Sequence, residues 1–125
     1  METTTTDTTS IVDTYIAMWN EEDAAARAGL IETAWTADAR YLDPLLEADG
    51  HDGLSTMVET VHDHYPGHRF ARTSAVDLHH DQARFSWELA GPDGSITVAG
   101  LDVAELAEDG RLRRITGVFG PLPDA

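Results

Sequence analysis

Two carboxylic acids in this chain stand in surroundings that favour opposite protonation states. Asp102 lies in the middle of Ile96-Thr-Val-Ala-Gly-Leu-Asp-Val-Ala-Glu-Leu106, which reads as a strand apolar on both faces. Alternation places Ile96, Val98, Gly100, Asp102, Ala104 and Leu106 on one face, and Thr97, Ala99, Leu101, Val103 and Glu105 on the other. A lone acid among small apolar residues costs roughly several kcal/mol if it must stay ionised in a dry interior. The segment is therefore a candidate for a carboxyl held in a dry pocket for chemistry, the alternative being a buried acid satisfied by Tyr15 or a backbone group with no chemistry. Asp43 closes the short strand Ala39-Arg-Tyr-Leu-Asp43 just before Pro44, a turn position where a carboxylate can stay ionised. An Asp before Pro also commonly bonds the backbone amides that follow it, so a purely structural role is open there. Tyr15 supplies a phenol. It shares an apolar stripe with Val12, Ile16 and Trp19 at helical spacing, so its hydroxyl faces inward and needs a partner.

These residues need elements to bring them together. Ser10 and Asp13 resemble a capping box and start a first helix. Residues 1–9 before it form a polar, Thr-rich tail expected to be disordered, and residues 10–121 a single domain. Asp23 caps a second helix over about 24–35 that buries Leu30, Ile31, Ala34 and Trp35. A third helix, about 52–65, buries Leu54, Met57, Val58 and Val61 and stops at Pro66-Gly67. Strands follow over about 69–79, 82–90, 96–106 and 111–120, with turns at His80-Asp81, Gly91–Gly94 and Glu108–Gly110. In the second of them Phe85, Trp87 and Leu89 alternate with Arg84, Ser86 and Glu88. This order predicts an α+β fold in which helices pack on one face of a strongly curved antiparallel sheet. A sheet wrapped around a helix makes a cone, and its open end is a natural pocket.

Composition narrows the partners. The 125 residues are 42% apolar, enough for one ordinary core. The net charge is -15 and all eight basic residues are Arg, so nucleic acid and anionic membranes are disfavoured. Without Cys there is no disulfide and no thiolate nucleophile. The N-terminus lacks the basic and apolar regions of a signal peptide, and no apolar run reaches membrane-spanning length, which predicts a cytoplasmic protein. The histidines do not suggest a metal site: His62 and His64 point away from each other on a helix, and His79 and His80 lie on opposite faces of a strand. His62, one turn beyond Val58, is expected at the pocket rim, where it would assist proton transfer.

Taken together, Tyr15-Ile16 in the first helix, Tyr-Leu-Asp43-Pro44, Gly50 before the third helix, and Leu101-Asp102-Val103 leading into Glu-Asp-Gly110-Arg111-Leu112 resemble the SnoaL-like and ketosteroid isomerase branch of the NTF2-like superfamily. The resemblance spans about residues 10–120. It implies an NTF2-like α+β barrel with the curved sheet around the long N-terminal helix. It also implies that Asp43 matches the general base of the steroid isomerases, Tyr15 their catalytic tyrosine and Asp102 their oxyanion-hole acid. In that chemistry one ionised Asp takes a proton beside a carbonyl, while a phenol and a protonated Asp bond the enolate oxygen.

The expected function is a cofactor-independent enzyme that shifts a double bond, or closes a ring, in a hydrophobic carbonyl compound. Trp19, Trp35, Met57, Val58, Phe85, Trp87 and Phe119 would form the pocket wall, and an aromatic wall suits a flat apolar ligand. A non-catalytic binding module of the same fold is the alternative from another class. Epoxide hydration by an Asp-Arg-Asp set is a third, although alternation turns Arg84 outward and leaves Arg72 as the other arginine available. The outer face of the central strand, with Leu101 and Val103, is apolar enough to predict a homodimer through the sheet.

Overall fold

The computed structural model describes residues 4–125. In chain order the elements are α1 (Thr5–Asn20), α2 (Ala24–Ala34), β1 (Trp35–Leu42), β2 (Glu47–Asp49), α3 (Gly50–His64), β3 (Arg69–Arg72), β4 (Asp77–His79), β5 (Gln82–Ala90), β6 (Ile96–Leu106) and β7 (Leu112–Phe119). The fold is the expected α+β arrangement, with three helices and one curved sheet. Its strands run β2-β1-β7-β6-β5-β3, with β4 also on β5. The order does not return on itself, so the sheet is open rather than a closed barrel.

Helix α1 starts earlier than the sequence suggested. Thr4 is its N-cap, its side chain accepting from the Asp7 N–H at 3.1 Å, so Ser10 lies inside the helix. The part of the expected tail from Thr5 to Thr9 is therefore helical, while residues 1–3 lie outside the described residues. Val12, Tyr15, Met18 and Trp19 form its buried side, and Ile16 is half-buried. The far end of α1 is tied to the sheet edge by a reciprocal pair: Asn20 donates to the Phe70 carbonyl at 2.9 Å and accepts from the Phe70 N–H at 2.8 Å. Arg72 reaches back to Asp13 at 2.9 Å from the same strand.

Helix α2 is capped by Asp23, as expected, but it ends at Ala34. Trp35 opens β1 instead of closing α2, in keeping with the preference of a large aromatic for a strand that is buried on one face. Leu30 is only half-buried, whereas Arg27 is 1% exposed. Arg27 works as a strut: its guanidinium donates to the carbonyls of Glu21 and Glu22 and to Ser55 and Glu59 of α3. Helix α3 buries Leu54, Met57, Val58 and Val61, the four residues expected.

Strands β5 to β7 are antiparallel and match the sequence reading closely, with the turn glycines Gly94 and Gly110 at positive φ of 84° and 88°. Two features differ. The strand expected over 69–79 is broken into β3 and β4, both on the same edge of β5. Strand β1 pairs with β7 in parallel, Tyr41 beside Ile115, so the sheet is not antiparallel throughout. Strands β2 to β6 and one helix, α3, intervene between these partners, too distant a pairing for local patterning to signal.

Candidate functional site

Asp102 lies buried in the middle of β6. Its face of β6 turns toward α1, and Gly100 and Ala104 on either side take little room. Across the sheet its neighbours are Phe85 on β5 and Gly117 on β7. The carboxyl is 2% exposed and accepts two hydrogen bonds, from Tyr15 Oη to Oδ2 at 2.7 Å and from Trp87 Nε1 to Oδ1 at 2.9 Å. Burial pushes its pKa up to about 7; the two donors oppose that rise, and the charge of Asp43 adds to it. Tyr15 is itself held well above the ordinary tyrosine range, first by burial and then by the Asp102 charge. Its ring is fixed by edge contacts to Trp35 and Phe85, with centroids 5.7 Å and 6.1 Å away.

Asp43 follows β1 at the turn set by Pro44. Its Oδ1 accepts the Leu45 and Leu46 N–H groups, each at 2.8 Å, and its Oδ2 accepts the Tyr41 hydroxyl at 2.6 Å. The turn-acid geometry is thus realised, and the same carboxylate faces the hollow described next. Tyr41 is pushed above the ordinary tyrosine range, chiefly by burial and then by the charges of Asp102 and Asp43.

Tyr15, Asp43 and Asp102 all line one apolar hollow of about 60 Å³ between α1 and the concave face of the sheet. Gly117 shows how closely the acids converge. A Cβ added there would lie 2.9 Å from Asp102 Oδ1, 3.2 Å from Asp43 Cβ and 3.3 Å from Tyr41 Oη. Trp19, Trp87 and Phe119 form part of the wall, as expected. Trp35, Met57, Val58 and Phe85 do not: they are buried in the core behind it. His62 is not at the hollow either. Its Nε2 bonds the Trp19 carbonyl at 2.7 Å, near the end of α1 where helix carbonyls lack partners.

Sequence reasoning missed Tyr41, Leu45, Leu46, Tyr65 and Phe70 as lining residues, and also the aliphatic Ile16, Val61, Leu89 and Val98. Tyr41 was legible, because it shares a strand face with Asp43. Leu45 and Leu46 follow Pro44 in a turn, where no periodicity speaks for them. The arginines considered for an Asp-Arg-Asp set bond elsewhere, Arg72 to Asp13 and Arg84 to Asp77 at 2.8 Å. Among the described residues no group of three or more His, Cys, Asp or Glu could hold a metal, and no helix is long and apolar enough to cross a membrane.

Residues 12–115 match the family model of the SnoaL-like domain. Among solved structures, the chain is similar to an Agrobacterium tumefaciens protein described as a "putative isomerase of the SnoaL-like family". That likeness has 38% identity and a TM-score of 0.87, over 93% of this chain and 99% of that one. An NTF2-like protein of unknown function from Exiguobacterium aligns at 19% identity and TM-score 0.70, over 90% and 99% of the two chains. A "putative polyketide cyclase" from Sinorhizobium meliloti aligns at 16% and 0.69, over 92% and 99%. The last two likenesses concern the fold alone. No curated protein matches the sequence significantly. With its fold and nearly its whole length accounted for in this way, the chain belongs to the SnoaL-like family.

Proposed function

We propose that this protein catalyses proton transfer on a neutral hydrophobic carbonyl compound, shifting a double bond or closing a ring without a cofactor. The observation that carries the reading is the 2.7 Å bond between Tyr15 and a buried Asp102 inside an apolar hollow that Asp43 also lines. The ionised Asp43 takes the proton from the carbon beside the carbonyl, and the electron pair moves onto the carbonyl oxygen as an enolate. When the ligand binds, the Tyr15 hydroxyl turns from Asp102 Oδ2 to that oxygen, and the protonated form of Asp102 donates beside it. Trp87 stays on Asp102 Oδ1, so the Oδ2–H is the one that turns toward the ligand. Asp43 then returns the proton to the γ carbon, and the double bond ends in conjugation.

The lining favours neutral substrates. Its polar groups are phenols, indoles and the two acids, with no Lys, Arg or His to balance an anion. A net charge of -15 works in the same direction.

The test is a panel of β,γ-unsaturated ketones of increasing size, followed by the absorbance of the conjugated product. The parent should turn over at least one member. Asp43→Asn should lose about 10²–10⁴-fold in kcat, and Asp102→Asn about 10²–10³-fold. Turnover that survives unchanged in Asp43→Asn would end the proposed role of that residue.

A further inference from the structure

We propose that Tyr41 is a positioning residue that holds the reacting oxygen of Asp43. The inference rests on the proton-transfer reading above and adds to it a residue outside the expected trio.

Three donors converge on the Asp43 carboxylate. The turn uses Oδ1, through the Leu45 and Leu46 N–H groups, and Tyr41 alone holds Oδ2. Oδ2 is therefore the oxygen left to meet a substrate. A carboxylate oxygen accepts along two lone-pair directions, so one remains for a carbon-bound proton while the phenol occupies the other. The donor is rigid. Tyr41 is 3% exposed, its backbone is paired to Ala48 on one side and Ile115 on the other, and the Trp19 ring meets it edge-on at 5.5 Å.

The gap at Gly117 supplies the second observation. Asp102 Oδ1, Asp43 Cβ and Tyr41 Oη all lie within 3.3 Å of the point where a Cβ would stand, so the Tyr41 hydroxyl sits beside both acids. Its proton nevertheless goes to Asp43, while Asp102 takes its bonds from Tyr15 and Trp87. The charge of Asp43 is near enough to raise Asp102, and the two acids differ in how many donors serve them. Asp43 has three donors and is half-exposed; Asp102 has two and is buried. Without Tyr41 the donor counts would be equal. The titratable groups sharing the hollow with Asp43 are Tyr15 from α1, Tyr41 from β1, Tyr65 from the end of α3 and Asp102 from β6.

Tyr41→Phe removes the hydroxyl and keeps the ring. Its effect is read by carbon-13 NMR of the Asp side-chain carboxyls, assigned with Asp43→Asn and Asp102→Asn. The Asp43 carboxyl signal should change relative to the parent, because a bond to Oδ2 is lost. Tyr15→Phe should change the Asp102 signal instead and leave that of Asp43 in place. On any ketone the parent converts, Tyr41→Phe should lower kcat about tenfold with little change in KM. An Asp43 signal identical in Tyr41→Phe and parent overturns the proposal. If the variant does not fold, 3-fluorotyrosine placed at position 41, a stronger donor, should change the Asp43 signal, and no change overturns the proposal equally. A parent inactive on every ketone would sink the proton-transfer reading, while the carboxyl signals would still decide whether Tyr41 holds Asp43.

Discussion

Gly100 on β6 stands directly opposite Trp87 on β5, and the volume it leaves empty is taken by the Trp87 indole. A Cβ added at Gly100 would lie 2.5 Å from Trp87 Cζ2 and would also strike the Val118 carbonyl. The glycine thus lets the indole lie where its N–H reaches Asp102. Gly100→Ala is expected to cost about 1–3 kcal/mol through overpacking and to displace that N–H. Urea unfolding gives the first quantity. A shift of the Asp102 titration midpoint further upward, from loss of a donor to its charged form, reports the second.

Asp102 should make stability fall as pH rises. Its folded-state pKa is about 7, raised by burial, against about 3.9 in the unfolded chain. Between these values the folded state binds more protons than the unfolded state, so unfolding free energy declines from about pH 4 to about pH 7 and levels off above. The contribution is on the order of 4 kcal/mol. Comparing parent and Asp102→Asn by urea unfolding at pH 5 and pH 8 isolates it. The variant should gain relative to the parent at the higher pH.

The same titration should limit activity on the alkaline side. The enolate oxygen needs the protonated form of Asp102, so kcat/KM of the free enzyme should fall as pH rises through about 7. In Asp102→Asn the alkaline limb should vanish, together with most of the rate. A parent profile flat from pH 6 to pH 9 would remove Asp102 as a proton donor.

The strut at Arg27 carries stability rather than chemistry. Its guanidinium is 1% exposed and satisfies the carbonyls of Glu21 and Glu22 in the α1–α2 connection while reaching α3. Arg27→Met would take this donor from the Glu21 and Glu22 carbonyls and from Ser55, while the exposed Glu59 keeps its solvent, and should cost about 1–3 kcal/mol. Thermal and urea midpoints should both drop, with the hollow unchanged in the folded fraction.

We also expect a homodimer through the outer face of the sheet. Leu101 and Val118 are register partners there, and Val103 and Val118 are 41% and 47% exposed in the single chain. Sedimentation velocity at micromolar concentration should show a dimer, and Val118→Glu should give monomers. A monomeric parent would refute this assembly.

Local patterning carried the strands furthest. The alternation in Phe85-Ser-Trp87-Glu-Leu89 and the placement of Asp102 on an inward face both appear in the structure, because a period of two needs no knowledge of distant partners. Parity, however, tells which side of a sheet a residue faces, not how far along the cone it lies. Phe85 and Trp87 share a face, yet Trp87 reaches the hollow and Phe85 packs behind Tyr15. The same gap in depth put Met57 and Val58 on the wall when they belong to the core. The face Tyr41 shares with Asp43 was legible, but its place beside Ile115, like that of Trp35 beside Leu112, depends on the parallel pairing of β1 with β7, which no local signal encodes. Arg27 was invisible for another reason: an arginine in an alanine-rich helix reads as solvated until its partners on two other segments are known.

The bond from Tyr15 to Asp102 spans 87 positions, and Asp43 comes from a third region between them, so no short stretch of the chain holds the three together. If α1 lifts away from the sheet, the phenol leaves and water reaches Asp102 in a single event. The carboxyl then reverts toward the ordinary aspartate range and ionises at neutral pH. The protein would switch off by partial undocking well before global unfolding, and hydrogen exchange along α1 would record each such excursion.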